Sequence, residues 1–196
     1  MTTLKYWLGV MVMLPFLAPQ DVALSSTRDA ACLLHSERVK PLEGRAFTLY
    51  KLRVEKVEFQ FIPPPTWSVK YDPNKRILTL LALDLDGGVT LNIELDGKDT
   101  AGVTEGEELK AKILERHKGV RGLREYRRPI AGVECVGYEF EQPVDKHLTA
   151  SFRVIQVGFS GGKGEFEMKS SSRKFADFDP LFGAFLGSVR IQCAAR

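Results

Sequence analysis

RILTLLALDLDGGVTLNIEL, residues Arg76–Leu95, contains the clearest strand pattern of this 196-residue chain. Its first half, Arg76–Leu85, is nearly apolar on both faces of an extended chain, which is typical of a central strand. The Asp86-Gly87-Gly88 segment predicts a turn. Val89–Leu95 then alternates apolar and polar residues, as a strand with one buried face does. The segment therefore predicts two consecutive strands of one sheet.

Further strands are predicted on both sides of this pair. Phe47–Phe61 has a strand-like pattern until Pro63-Pro64-Pro65, which cannot continue a hydrogen-bonded ladder. On the C-terminal side, Val120–Ile130 and Val133–Glu141 are predicted strands joined by a turn at Ala131-Gly132. His147–Phe159 and Glu165–Lys169 are predicted to form a hairpin through a loop at Ser160–Gly164.

The first predicted helix begins at a capping box, Thr104–Glu107, and ends at Gly119. Leu109 and Ile113 mark a narrow apolar face. Glu108 precedes Lys112 by four residues, which is the favourable order for an ion pair on a helix.

A second helix is predicted near the C-terminus, with Asp179 as its N-cap and Pro180 as its first residue. Its apolar side chains recur at helical spacing, with Phe175 one turn earlier: Phe178, Phe182, Phe185, Leu186 and Val189. Groups of strands joined by short turns, with helices between them, predict an α+β fold in which helices cover an antiparallel sheet.

The composition is that of a folded domain. Twelve Phe, five Tyr and two Trp accompany a net charge of only +3, so the bulk of the chain is expected to fold. A domain of this size buries about 70% of its unfolded surface and needs no metal or disulfide for its core. The small net charge argues against a dedicated nucleic-acid-binding protein.

The N-terminus has the pattern of a secretory signal peptide. Lys5 precedes the uncharged apolar run Tyr6–Ala18, which at 13 residues is too short to span a membrane. Ala23-Leu24-Ser25 supplies small residues for cleavage. We therefore expect residues 1–25 to be a signal peptide of an exported, periplasmic or secreted, protein without a transmembrane helix in the mature chain. A buried N-terminal helix and an uncleaved anchor are the alternatives.

Residues 55–192 resemble the PsbP-like fold family, which includes the extrinsic photosystem II protein and DcrB-type bacterial periplasmic proteins. The resemblance is carried by Phe59–Trp67, where an apolar strand runs into Pro and Trp, by the turn in Ala131–Phe140, and by the Phe-rich C-terminal helix ending near Ser188. It implies an α/β/α sandwich and a binding or assembly-accessory role without a shared catalytic site. The lead-in, residues 26–54, departs from the family pattern; it could add a strand or pack across the sheet.

No catalytic or cofactor motif emerges from the sequence. His35, His117 and His147 lack metal-ligand spacing, and each is expected to be exposed. The glycine-rich segment Gly158–Gly164 lacks the residues of a phosphate-binding loop, and no His follows Ser160 as a hydrolase triad would require. We therefore expect no enzyme, no cofactor and no metal site.

Two weaker features remain. Lys110–Arg128 contains eight cations and two carboxylates, so Arg121, Arg124, Arg127 and Arg128 are a candidate surface for an anionic partner. The alternative is a solvated helix end and an edge strand whose charges discourage pairing. A disulfide between Cys32 and Cys193 is a second hypothesis, with Cys135 as a buried thiol, because export allows disulfide formation.

These observations predict an exported, non-enzymatic binding or assembly-accessory protein of the cell envelope, whose partner is a protein or an envelope component. One alternative is a carrier of a small apolar ligand or lipid, bound between the sheet and the C-terminal helix. An enzyme with an unrecognised site is the other alternative.

Overall fold

The computed structural model describes residues 32–82, 86–99, 101 and 106–193. The strands are β1 (Cys32–Val39), β2 (Phe47–Val54), β3 (Val57–Phe61), β4 (Ser68–Asp72), β5 (Ile77–Ala82), β6 (Gly87–Asp99), β7 (Arg121–Ile130), β8 (Val133–Pro143), β9 (Thr149–Ser171) and β10 (Arg190–Cys193), and the helices are α1 (Gly106–Arg116) and α2 (Phe175–Ser188). Neither helix is long and apolar enough to cross a membrane. The predicted signal peptide, residues 1–25, and the capping residue Thr104 lie outside the described residues.

One sheet has four strands in the order β1-β2-β3-β10, all antiparallel. The lead-in of the sequence supplies its first two strands, so residues 32–54 are an integral part of the fold. Leu52 and Val54 of β2 are completely buried, as is Phe59 of β3. These side chains alternate with polar ones, which explains why the strand pattern was visible in the sequence.

The other sheet has six antiparallel strands in the order β4-β5-β6-β9-β8-β7. The segment with the clearest strand pattern forms β5 and β6, which pair with each other as predicted. Leu78 and Leu80 of β5 and Leu91 of β6 point into the core. β5 is an interior strand of this sheet, as predicted, but only one of its faces is buried, since Leu81 on the other face is 44% exposed.

The main core lies between the two sheets and α2. It includes Leu52 and Phe59 from the four-stranded sheet, Phe166 from the six-stranded sheet, and Phe182 and Phe185 from α2. The structure thus supports a mixed fold of antiparallel strands and two helices. The expected single sheet covered by helices is corrected to two sheets, of which the helices cover little, because the sheets bury much of their apolar surface against each other.

A second, smaller core lies between α1 and the strands β8 and β9. Leu109 and Ile113 are completely buried there against Phe140 and Phe152. The predicted helical ion pair is also present, with 3.0 Å between Lys112 Nζ and Glu108 Oε1. The narrow apolar face predicted for the first helix is therefore confirmed.

The turn between β7 and β8 is a two-residue hairpin at Ala131-Gly132. Both residues have positive φ, +51° and +82°, which is the backbone conformation of a type I′ turn. This turn matches the twist of antiparallel strands, so the predicted reversal is confirmed.

The predicted hairpin at Ser160–Gly164 is wrong, because β9 runs without reversal from Thr149 to Ser171. Its first part pairs with β8 and its second part with β6. Two glycines allow β9 to continue past β6. Gly161 has a φ of +97° beside the register shift between β6 and β9. Gly162 lies so close to β6 that a side chain there would overlap the carbonyl oxygen of Glu94. Gly in this strand therefore marks an irregularity and a close backbone approach, not a turn.

The predicted start of the second helix is also wrong. α2 begins at Phe175, after Lys174 as N-cap, and Pro180 lies inside the helix. Asp179 does not cap the helix; its carboxylate accepts a hydrogen bond from Arg153 of β9. The predicted core-facing residues Phe178, Phe182, Phe185, Leu186 and Val189 are buried, and Phe175 is partly buried.

Candidate functional site

The four arginines of the predicted anionic-partner surface lie on β7, an edge strand of the six-stranded sheet. Side chains alternate between the two faces of a strand, so Arg124 and Arg128 lie on one face and Arg127 on the other. Arg121 is opposite Glu141, across a register shift. The structure therefore does not bring all four side chains together on one surface.

Arg124 is held by a carboxylate. Its Nη2 lies 2.5 Å from Glu139 Oε1, and the same carboxylate accepts hydrogen bonds from Arg153 at 2.6 and 2.8 Å. Burial by itself would raise the pKa of Glu139, but the hydrogen bonds from Arg153 and Arg124 outweigh burial and lower it. Arg124 is thus paired with Glu139 although its own side chain is 76% exposed.

Arg127 and Arg128 have different surroundings. Arg127 is exposed and lies 3.3 Å from Glu125 Oε1 of the same strand. Arg128 lies against α2, since a side chain on Gly183 would overlap Arg128 Nη1. Both positions agree with the alternative interpretation of a charged edge strand, which resists pairing with other chains.

The cysteines do not support the proposed disulfide. The register aligns Cys32 with Val54, Val54 with Val57, and Val57 with Cys193. Two strands therefore separate Cys32 from Cys193, a distance of about 14 Å at the normal strand spacing, and a disulfide needs Cα atoms within about 7 Å. Cys193 is a free, exposed cysteine, and Cys135 is the buried free thiol that was predicted.

His117 is buried, contrary to the expectation of an exposed imidazole. Its ring packs edge-on against the stacked rings of Phe140 and Phe152, 4.9 Å from each ring centre, and Nδ1 is 3.2 Å from Gln142 Oε1. Nε2 lies 3.4 Å from a carboxylate oxygen of Glu167, without hydrogen-bond geometry. His35 and His147 are exposed as expected. In the described part of the chain no three His, Cys, Asp or Glu side chains are placed to hold a metal ion.

A cleft of about 640 Å³ lies between the start of β2, the Pro63-Pro64-Pro65 segment and α2. We name it the proline cleft. Its apolar lining includes Phe47, Tyr50, Ile62, Trp67, Leu181 and Phe185. Arg38 and Arg45 also line it, and both are exposed.

Two contacts hold the walls of the proline cleft in place. Ser188 Oγ, at the end of α2, accepts a hydrogen bond from the backbone nitrogen of Ile62 at 2.9 Å and lies 2.7 Å from the carbonyl oxygen of Phe185. The ring of Trp67 stacks on Phe178 of α2, with 5.0 Å between ring centres. The proline segment is thus attached to the helix at both of its ends.

A second apolar depression, of about 540 Å³, lies on the open face of β5, β6 and β9. Leu81, Val144 and Leu148 line it and are each more than 40% exposed. Its charged residues include Glu167 and Lys169. Asp86 also lines the depression, so it carries two carboxylates and one cation, unlike the proline cleft with its two arginines.

The sequence did not point to Arg38 and Arg45 as binding residues, because the lead-in shows no clear periodicity. Pro63-Pro64-Pro65 predicts the end of a strand, and Phe59–Trp67 carries a family resemblance, but neither pattern indicates a binding cleft. Neither protein-family models nor curated proteins give a match to this chain.

Proposed function

We propose that the protein is an exported, non-enzymatic binding protein of the cell envelope, which holds a small apolar ligand in the proline cleft. The observation that carries this proposal is the apolar lining of the cleft, together with its volume. Pockets of about 300–1,000 Å³ with mostly apolar walls are typical of small-molecule sites. The position of the cleft, between a sheet and the Phe-rich helix, is the one expected for a ligand carrier.

The resemblance to the PsbP-like family belongs to this proposal. Its support is the Phe59–Trp67 segment, whose strand β3 is followed by the proline wall of the cleft. In this interpretation the residues of the family pattern shape a binding cleft.

Native mass spectrometry of the full chain purified from its own host tests the proposal. Ala184 lines the cleft on an exposed part of α2, and Ala176 is exposed on the same helix outside the lining. We expect a bound mass with the wild type and with Ala176→Trp, and its loss with Ala184→Trp, because the larger side chain fills the cleft. A bare polypeptide mass for the wild type would overturn the proposal.

Export is tested on the same sample by N-terminal sequencing. Cleavage after Ser25 predicts a mature chain that begins at Ser26. An intact Met1 would contradict export through a cleaved signal peptide.

A protein partner is the second candidate, and the position of β1 favours it. Among the described residues this strand is an edge of the four-stranded sheet and pairs with β2 alone, and it has exposed side chains such as Leu33, at 66% exposure. Edge strands of this kind can pair with an extended segment of another protein. Envelope pull-downs with Leu33→Lys, and with Leu114→Lys on α1 as a matched control, test this candidate. A partner lost only with Leu33→Lys would support it, and equal recovery with both variants would contradict it.

A further inference from the structure

We propose that the ligand of the proline cleft is a single-chain amphiphile with an anionic head group, and that Arg38 and Arg45 bind this head group. The inference rests on the proposed function, since it assigns a ligand class to the same cleft. It starts from two cations that the fold places beside an apolar surface.

Arg38 lies on the inner face of the four-stranded sheet. It pairs with Thr48 in the register of β1 and β2, while Leu34 pairs with Leu52 and Ser36 with Tyr50. Directly paired residues share a face of the sheet, so Arg38 continues the face on which Leu52 is buried. Arg38 is exposed at the end of this face, where it lines the cleft.

Neither arginine is paired with a carboxylate in the described part of the chain. Other cations on the same sheet are paired: Lys51 lies 3.1 Å from Glu37, and Arg53 lies 3.4 Å from Glu58. Glu37 is next to Arg38 in sequence, but alternation places it on the opposite face of the sheet, with Lys51. The fold therefore leaves the Arg38 guanidinium available at the cleft.

The lining of the cleft has a positive sign. Besides Arg38 and Arg45, the described residues that line it are apolar or carry a hydroxyl group, and none of them is a carboxylate. Guanidinium groups bind carboxylates and phosphates through two parallel hydrogen bonds, which a neutral or cationic head group cannot accept in the same way. Apolar walls next to two cations are complementary to an alkyl chain that ends in an acid.

The alkyl chain and the head group of such a ligand would bind to different parts of the cleft. The alkyl chain would lie against Ile62, Leu181 and Phe185, whose side chains form the apolar side of the cleft. The head group would remain at the exposed rim, where Arg38 and Arg45 stand. The two arginines come from β1 and from the segment that joins β1 to β2, so the binding group is formed by the lead-in.

Isothermal titration calorimetry of the full chain with three probes of equal chain length tests the inference. The probes are dodecanoate, dodecanol and dodecyltrimethylammonium, each used below its aggregation limit. We expect dodecanoate to bind at least about tenfold more tightly than the other two, as charge-assisted hydrogen bonds would predict.

Arginine variants locate the head group. Arg38→Gln and Arg45→Gln should each weaken dodecanoate binding by about tenfold and leave dodecanol binding unchanged. Arg53→Gln removes one exposed cation from the outer face of β2 and is the matched control for net charge; it should leave dodecanoate binding unchanged. Unchanged dodecanol binding also shows that the arginine variants are folded.

The outcomes separate this inference from the proposed function. Equal affinities for dodecanoate and dodecanol, or equal losses in all three arginine variants, would overturn the head-group assignment while the cleft remains a ligand site. If none of the three probes binds and the native protein carries no bound mass, the proposed function itself is overturned.

Discussion

Arg153 Nη1 donates a hydrogen bond to Asp179, and this contact joins β9 to α2. The same guanidinium donates to Glu139 of β8. It also lies over the rings of Tyr126 and Phe175, 5.3 and 5.1 Å from their centres. The positive charge of Arg153 thus balances the negative charges of Glu139 and Asp179 where the six-stranded sheet meets the C-terminal helix.

Replacing Arg153 with Met should lower the free energy of unfolding by about 2–3 kcal/mol, because Glu139, at 17% side-chain exposure, would keep only Arg124 as a partner. Urea unfolding measures this change. Arg127→Met removes an exposed arginine of β7 and should change the stability by less than about 0.5 kcal/mol. Equal losses in the two variants would show that the Arg153 network adds no specific stability.

The same network predicts a loss of stability in acid. The pKa of Glu139 is lowered in the folded state from its ordinary value of 4.5, so the unfolded chain takes up the proton first as the pH falls. The stabilisation is complete above pH 4.5 and is lost as the pH falls through the folded pKa. Urea midpoints of wild type and Glu139→Gln should therefore differ at pH 7 and converge below pH 4.5. A constant difference across this range would contradict the assignment.

Gly162 should not tolerate a side chain. A Cβ there would overlap the carbonyl oxygen of Glu94, so Gly162→Ala should destabilise the fold by about 1–3 kcal/mol through overpacking. Gly187→Ala on α2 is the control, because nothing lies within 4 Å of the added Cβ. That change should be neutral or stabilising by up to about 1 kcal/mol. If chemical denaturation shows Gly162→Ala to be neutral, β9 does not pass as close to β6 as described.

Ser188→Ala should loosen the proline cleft. The change leaves the backbone nitrogen of Ile62 without its 2.9 Å acceptor, which costs about 1–2 kcal/mol. Hydrogen exchange should become faster at Ile62 and remain unchanged at Phe59, inside β3. Unchanged exchange at Ile62 would show that Ser188 does not hold this wall.

Thiol counting distinguishes a free Cys193 from a disulfide-bonded one. Cys193 is exposed and Cys135 is completely buried. In a Cys32→Ser variant, a thiol reagent should therefore label one cysteine in the native protein and two after unfolding. The unreduced wild type should yield three thiols after unfolding; a single thiol would contradict the strand register that separates Cys32 from Cys193.

Local signals predicted much of the fold correctly. Leu109 and Ile113 marked the buried face of α1, and the Ala131-Gly132 turn was identified between two strands. These signals depend on residues that are close in sequence. The prediction of a hairpin at Ser160–Gly164 was wrong because glycine occurs both in turns and at close contacts between strands. Only the position of β6 shows which of the two applies here.

The candidate site was less predictable. The arginines of β7 were prominent because they are close in sequence, yet the pleat of the strand divides them between two faces. Arg38 was inconspicuous in the lead-in, and it became a candidate only when β1 was found beside β2. His117 was expected in solvent because the sequence does not show that Phe140 and Phe152 flank it.

The strands and helices with a clear period, the hairpin turn and the buried Phe-rich face of α2 are predictable from the amino-acid sequence, because each follows from the repeat of apolar residues and from local backbone preferences. Three features depend on tertiary packing: the division of the strands into two sheets, the continuation of β9 through its glycines, and the position of Arg38 at the rim of the proline cleft. These features arise from pairing between segments far apart in the chain, and such pairing is set by which apolar faces bury each other.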